Sequence, residues 1–131
     1  MSYDGGGGCW RYQNVGTPTI QPGQAVALSG TGVAQAIATG LGTNAIGLAQ
    51  TAAASGFALV VQRINFITLA DWTAATGSSA LTVGAAYYLD PSTPGGLTAT
   101  APTTPGQIVQ QVGIALTPTT LDLSIQSGIM L

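Results

Sequence analysis

The chain is 131 residues long and 46% hydrophobic, with 19 Gly, two Lys/Arg, four Asp/Glu and no His, for a net charge of −2. Two cations cannot track a phosphate backbone, so nucleic acid and anionic membrane surfaces are not expected partners, and one Cys with no His leaves a transition-metal site without ligands. The mean hydropathy of +0.41 does not make a membrane span either: a spanning helix needs about 20 apolar residues, and the best candidate, Ala45 to Val61, is interrupted by Gln50, Thr51, Ser55 and Gly56.

Met1 to Gly8 (MSYDGGGG) begins without the basic and apolar regions of a signal peptide. Its run of Gly predicts a flexible tail, since ordering Gly costs the most backbone entropy. Cys9-Trp10-Arg11-Tyr12 follows. Two large aromatics beside an Arg are typical interface anchors. Residues 1–22 are therefore expected to form an extended N-terminal arm and linker, either moving freely or docking on a partner through Trp10, Arg11 and Tyr12, with Tyr3 joining them. Cys9 has no partner for an intrachain disulfide and reads as an incidental thiol.

Asn14 to Gly23 is loop and turn, with Pro18 and Pro22 ending regular structure. A β-rich domain is expected over residues 23–131. Val26 and Leu28 define a short strand face, Ser29 to Gly32 a turn, and Val33 to Thr39 a weak, Ala-rich second strand. Gly40 to Asn44 is a loop, Ala45 to Gln50 a strand and Thr51 to Gly56 a turn. Phe57 to Gln62 is the strongest strand of this half, with Phe57, Leu59 and Val61 on one face. Ile64 to Leu69 continues as a strand, Asp71 to Ala75 is one helical turn with Asp71 as N-cap, and residues 63–83 as a whole read as a connector.

Gly84 to Gln126 carries the clearest pattern. Two apolar runs flank a Pro/Gly-rich loop, and Leu121, Leu123 and Ile125 alternate with Asp122, Ser124 and Gln126. A slip of one residue would turn the Asp122 carboxylate into the core, so the register is well specified. The stretch also repeats the earlier one. Gly23 to Leu28 aligns with Gly84 to Leu89, Ala38-Thr39 with Ala99-Thr100, and Ile46 to Ala49 with Val112 to Ala115; Phe57, Leu59, Val61 and Gln62 align with Leu121, Leu123, Ile125 and Gln126. The expected fold is all-β: a β-sandwich or distorted barrel from two similar four-strand units. The density of Gly, Thr and Pro defeats an Ala-rich helical alternative.

No catalytic constellation is found. Gly5 to Gly8 lacks the Lys of a phosphate loop, and Gly30-Thr31-Gly32 has Gln35 where a dinucleotide fingerprint needs Gly. The Asp residues are scattered singly, and the Ser and Thr have no base to activate them. No enzyme, cofactor or metal is expected.

Four phrases, Leu81 to Leu89, Thr93 to Thr98, Ala101 to Gln107 and Val109 to Leu116, resemble the small β-rich decoration (cement) proteins on the heads of tailed bacteriophages, and similar modules of phage fibres and spikes. The resemblance covers about residues 23–126. It implies a homotrimer on the outer surface of a virion that clamps neighbouring major capsid protein subunits together; the Gly-rich arm with Trp10 has no counterpart in the family pattern. The alternative it leaves is a receptor- or glycan-binding module, for which Trp72, Tyr87 and Tyr88 are the aromatic candidates outside the arm.

Composition points the same way independently. A core built largely from Ala and Gly buries little area, and burial yields only about 25 cal/mol per Å². Exposed sheet edges are commonly guarded by Lys, and the chain has none. Its edges are expected to be covered by partner chains, with Ile129, Met130 and Leu131 at the C-terminus serving as a subunit contact.

Overall fold

The computed structural model describes residues 2–3 and 9–131, and among these the protein is all-β. Its strands are β1 (Ser2–Tyr3), β2 (Cys9–Gln13), β3 (Ala25–Ser29), β4 (Gly32–Gln35), β5 (Gly47–Ala49), β6 (Ala58–Gln62), β7 (Ile64–Thr68), β8 (Ala86–Leu89), β9 (Leu97–Thr98), β10 (Ile108–Val109), β11 (Gln111–Ala115), β12 (Thr120–Ser124) and β13 (Ile129–Met130). One short helix, α1 (Thr73–Thr76), lies between β7 and β8. The strands form a six-stranded sheet in the order β1-β2-β6-β5-β3-β4, a five-stranded sheet in the order β7-β12-β11-β8-β9, and a ribbon of β10 with β13. Every pairing between named strands is antiparallel. The arrangement is a sandwich; neither sheet closes into a barrel.

The internal repeat is visible in the topology and is larger than the sequence pattern indicates. Setting β1 aside, the order β2-β6-β5-β3-β4 in the first sheet is reproduced as β7-β12-β11-β8-β9 in the second. Each unit therefore has five strands, and the extra one leads it. Registers agree as well: Ala25 lies opposite Leu48 and Val26 opposite Gly47, while Ala86 lies opposite Ile114 and Tyr87 opposite Gly113. Those two glycines share one job. A Cβ on Gly47 would meet the Gln62 carbonyl oxygen at 2.5 Å, and one on Gly113 would collide with the carbonyl oxygen of Asp122. Only Gly permits that approach between neighbouring strands.

This contact corrects the sequence alignment of the last strand. Val61 pairs with Ala49 and Leu121 with Ala115, so Leu121 is the counterpart of Val61, where the sequence pattern aligns it with Phe57. Phe57 precedes β6 and is exposed. The Ala-rich second strand likewise stops at Gln35 instead of reaching Thr39.

The flexible arm is corrected for residues 9–22. Strand β2 pairs with β6 along its whole length, from Cys9 opposite Gln62 to Gln13 opposite Ala58. Its alternation explains why: Tyr12 is 3% exposed while Arg11 and Gln13 face solvent. The next segment is fastened by Asn14, which is buried; its Nδ2 donates to the carbonyls of Pro18 and Ala53, and its Oδ1 accepts from the Gly16 N–H. Ile20, fully buried, bridges to Ala53. Residues 1 and 4–8 lie outside the described residues. The connector is corrected in the same way, since β7 inside it pairs with β12 from Ile64–Ser124 to Thr68–Thr120.

Two apolar cores result. The smaller gathers Tyr12, Ile20, Val26, Val33, Ala49, Ala53, Leu59 and Val61, so it lies between one face of the first sheet and the loops carrying Ile20 and Ala53. The larger joins Ala25, Ala27 and Leu48, on the opposite face of that sheet, to Tyr87, Leu89, Leu97, Leu121 and Leu123 of the second, with Trp72, Ala75 and Leu81 filling in. Trp72 is fully buried, and its Nε1–H donates to the Thr119 carbonyl at 2.9 Å.

Candidate functional site

In a chain nearly without charges, buried amides do the polar bracing. Gln110 donates from Nε2 to the carbonyls of Ala45 and Gln126 and accepts the Ala45 N–H at Oε1, at 2.8–2.9 Å. It thereby ties the two halves of the chain. Gln62 donates to the carbonyls of Ile64 and Phe66 and accepts from Gln50. A buried amide that makes all its bonds avoids the desolvation penalty that an unpaired one would carry.

Beside Gln110 lies a groove of about 820 Å³. Trp10, Ala45, Ile46 and Arg63 line it together with Gln110, Ile125, Gln126 and Ser127. The Arg63 guanidinium carbon stands 5.9 Å from the centroid of the Trp10 ring, within cation–π range, and its Nη1 lies 3.5 Å from the Tyr12 hydroxyl. Asn65 on the rim has a left-handed φ of 69°, a conformation Asn tolerates better than most residues. Asn44 contributes a buried amide oxygen with no hydrogen-bond partner among the described residues.

The docking residues expected from the sequence are thus divided. Trp10 lines the groove and Tyr12 sits behind it in the smaller core. Arg11 points to the other face of β2, opposite Val60. Tyr3 pairs with Trp10 in the β1–β2 register, and its side chain lies outside the described residues. Arg63 is the residue that sequence reasoning missed; its only advance signal is that it is one of two cations and directly follows the strongest strand.

The aromatic candidates for a binding surface fare differently. Trp72 and Tyr87 are core residues, the Tyr87 hydroxyl accepting the Thr82 N–H at 2.9 Å. Tyr88 is half-buried on the outer face of the second sheet. The C-terminal residues form β13 against β10, with Val109 opposite Ile129 and Ile108 opposite Met130. Ile129, Met130 and Leu131 are all exposed.

A second feature is the outer face of the second sheet. One row across it reads Phe66, Asp122, Ile114, Ala86 in hydrogen-bonded register. Phe66 is 60% exposed and Ile114 41%, with Leu116 and Ile64 also exposed near the ends of their strands.

Among the described residues no three His, Cys, Asp or Glu converge to hold a metal ion. The Asp71 carboxylate is engaged by Thr73, and that of Asp90 accepts the N–H groups of Ser92 and Thr93. No helix among the described residues is long and apolar enough to cross a membrane. No protein-family model matches the chain, and no curated protein matches it.

Proposed function

We propose that the chain is a non-enzymatic structural protein of a phage head, binding the outer capsid surface as a homotrimer and stabilising contacts between major capsid protein subunits. The resemblance of residues 23–126 to head decoration proteins supplies the setting. The observation that carries the reading is the outer face of the second sheet: Ile64, Phe66 and Ile114 are exposed on neighbouring strands with Asp122 between Phe66 and Ile114, in a chain with two cations. Isolated soluble monomers rarely leave extended apolar patches uncovered, and adhesion through such a surface is insensitive to salt because few charges exist to be screened. Particles stripped of the protein and reloaded with it test this. Expected are saturable binding that persists at 1 M salt (a Debye length of about 3 Å) and a higher rupture temperature of the loaded shell. Release at moderate salt, or a rupture temperature unchanged by occupancy, overturns the reading.

The Trp10–Arg63 groove favours a second reading, a receptor- or glycan-binding module. An aromatic wall beside amides and one cation suits a sugar bearing an acidic group. A glycan array probed with the wild type and with Trp10→Ala tests it; binding lost in the variant supports the module, and an array without hits removes it.

A further inference from the structure

We propose that the Trp10–Arg63 groove takes a saccharide through a single carboxylate, and that Arg63 is the residue that selects the acid over its neutral counterpart. The inference rests on the binding-module reading above and narrows it to one ligand chemistry. It needs only one copy of the chain.

The fold builds Arg63 into this position. It is the single residue between β6 and β7. Gly47 leaves room for its stem, since a Cβ there would stand 3.2 Å from the Arg63 Cγ. Its head is held by two aromatics, the Trp10 ring and the Tyr12 hydroxyl. Yet no acidic residue lines the groove. The described carboxylates lie elsewhere: Asp71 is engaged by Thr73, Asp90 by the N–H groups of Ser92 and Thr93, and Asp122 sits opposite Ile114 on the outer face of the second sheet. A guanidinium braced by neutral partners keeps most of its five N–H donors for a ligand.

The surroundings of that charge define the ligand. One cation matches one carboxylate, and the planar guanidinium fork matches carboxylate geometry. A phosphate-rich ligand calls for clustered cations, and the chain has two in all. Beside Arg63 the groove offers the half-buried Trp10 ring and the side chains of Asn44, Gln126 and Ser127. Amides and a hydroxyl donate and accept at once, as sugar hydroxyls do, and the negative face of an aromatic ring suits the C–H side of a sugar. The Asn44 Oδ1 is buried with no partner among the described residues. What it lacks is a donor, which a ligand hydroxyl carries. The volume of about 820 Å³ falls in the range of small-molecule sites.

Heteronuclear NMR of the isotope-labelled full chain tests this. The probes are the methyl glycosides of glucuronic, galacturonic and N-acetylneuraminic acid, each beside its neutral carboxamide. The Trp10 indole N–H reports from the groove, and that of Trp72, buried and bonded to Thr119, is the internal control. At least one acid is expected to shift the Trp10 signal saturably and leave Trp72 unmoved. It should bind about 10-fold tighter than its carboxamide, the effect of one exposed charge-assisted contact. Arg63→Gln, which keeps part of the stem, should erase that preference; Arg63→Lys, which keeps the charge without the fork, should restore part of it. Where Arg63→Gln fails to fold, the acid and carboxamide pair reads the same charge on the wild type. Acid and carboxamide bound equally, or a preference unchanged in folded Arg63→Gln, overturns the assignment of Arg63 and leaves the module reading standing. Acetate or inorganic phosphate reproducing the Trp10 shift at the same concentration reduces the groove to an unselective anion site and overturns the saccharide. No saturable shift with any of the acids also overturns the inference; array hits for neutral glycans would then leave the module standing, and an array without hits would remove both.

Discussion

The two halves of this molecule share a strand order and a register but not a surrounding. Leu48 and Ile114 occupy one position in two copies of the same five-strand unit, and one is sealed in the core while the other faces outward. The units are also capped by unlike devices. Two loops meeting at the Ile20–Ala53 bridge close the first, whereas the α1 segment with Trp72 and Leu81 packs into the larger core beside the second. Backbone topology is held in common by a small set of constraints, among them the two close-approach glycines. Side-chain environment is set by where each unit falls in the stack.

The largest effect should separate the two central residues. Leu48→Ala removes a fully buried side chain and is expected to cost about 2–5 kcal/mol, depending on how far the core collapses. Ile114→Ala, already partly solvated, should cost the dilute chain less than about 1 kcal/mol, because little burial is lost. Urea unfolding of the dilute chain measures both. Equal costs would mean that the two faces do not differ as described.

The shared glycines should behave alike where the shared apolar residues do not. Gly47→Ala and Gly113→Ala each drive a methyl into a neighbouring strand's carbonyl, with an expected cost of about 1–3 kcal/mol for overpacking. Gly40→Ala, with nothing within 4 Å of its Cβ position, should stay within about 0.5 kcal/mol of the parent. A benign Gly113→Ala would break the equivalence of the units at its tightest point.

Gln110 belongs to neither unit's regular pattern and joins them. Gln110→Leu keeps the volume and strands the N–H and C=O of Ala45. Leaving such buried groups unpaired costs about 1–3 kcal/mol. The unfolding midpoint should fall with an unchanged denaturant slope, since the surface exposed on unfolding is the same.

Much of the fold is legible in the sequence. Period-2 alternation around Asp122 and the Gly/Pro turns identify most strands, and the echo between residues 23–62 and 84–126 identifies the repeat. The leading strands differ in how they read. β2 follows a Gly run and reads as an arm until its pairing with β6 is seen, whereas β7 is legible as a strand from Ile64 but, separated from β6 by Arg63 alone, does not show that it opens a second unit. The sequence pattern places the last strand four residues off because an alternating pattern matches itself at every even shift. Nothing local breaks that tie; only the contact of Gly47 and Gly113 with the next strand does. The groove is not legible, since Trp10, Asn44, Arg63, Gln110 and Gln126 come from separate segments.

The smallest effect probes the caps. The Asp71 carboxyl is held below its ordinary value of 3.8 by the Thr73 hydroxyl first and the Thr73 N–H second. A carboxyl whose value is depressed by folding contributes stability above its unfolded value, and that contribution is lost as pH falls through the folded value. Acid below about pH 3.8 should therefore loosen the start of α1 in the second cap. The Ile20–Ala53 bridge, held by two backbone hydrogen bonds with no carboxylate among them, lacks this sensitivity. Amide exchange, corrected for intrinsic rates, should accelerate on acidification at Ala75, Thr76 and Gly77, whose N–H groups bond within α1, ahead of Ile20 and Ala53. Asp71→Asn keeps an acceptor for Thr73 but cannot titrate, so in that variant the two caps should respond to acid alike. If α1 still opens first there, the difference between the caps lies in their packing and not in Asp71.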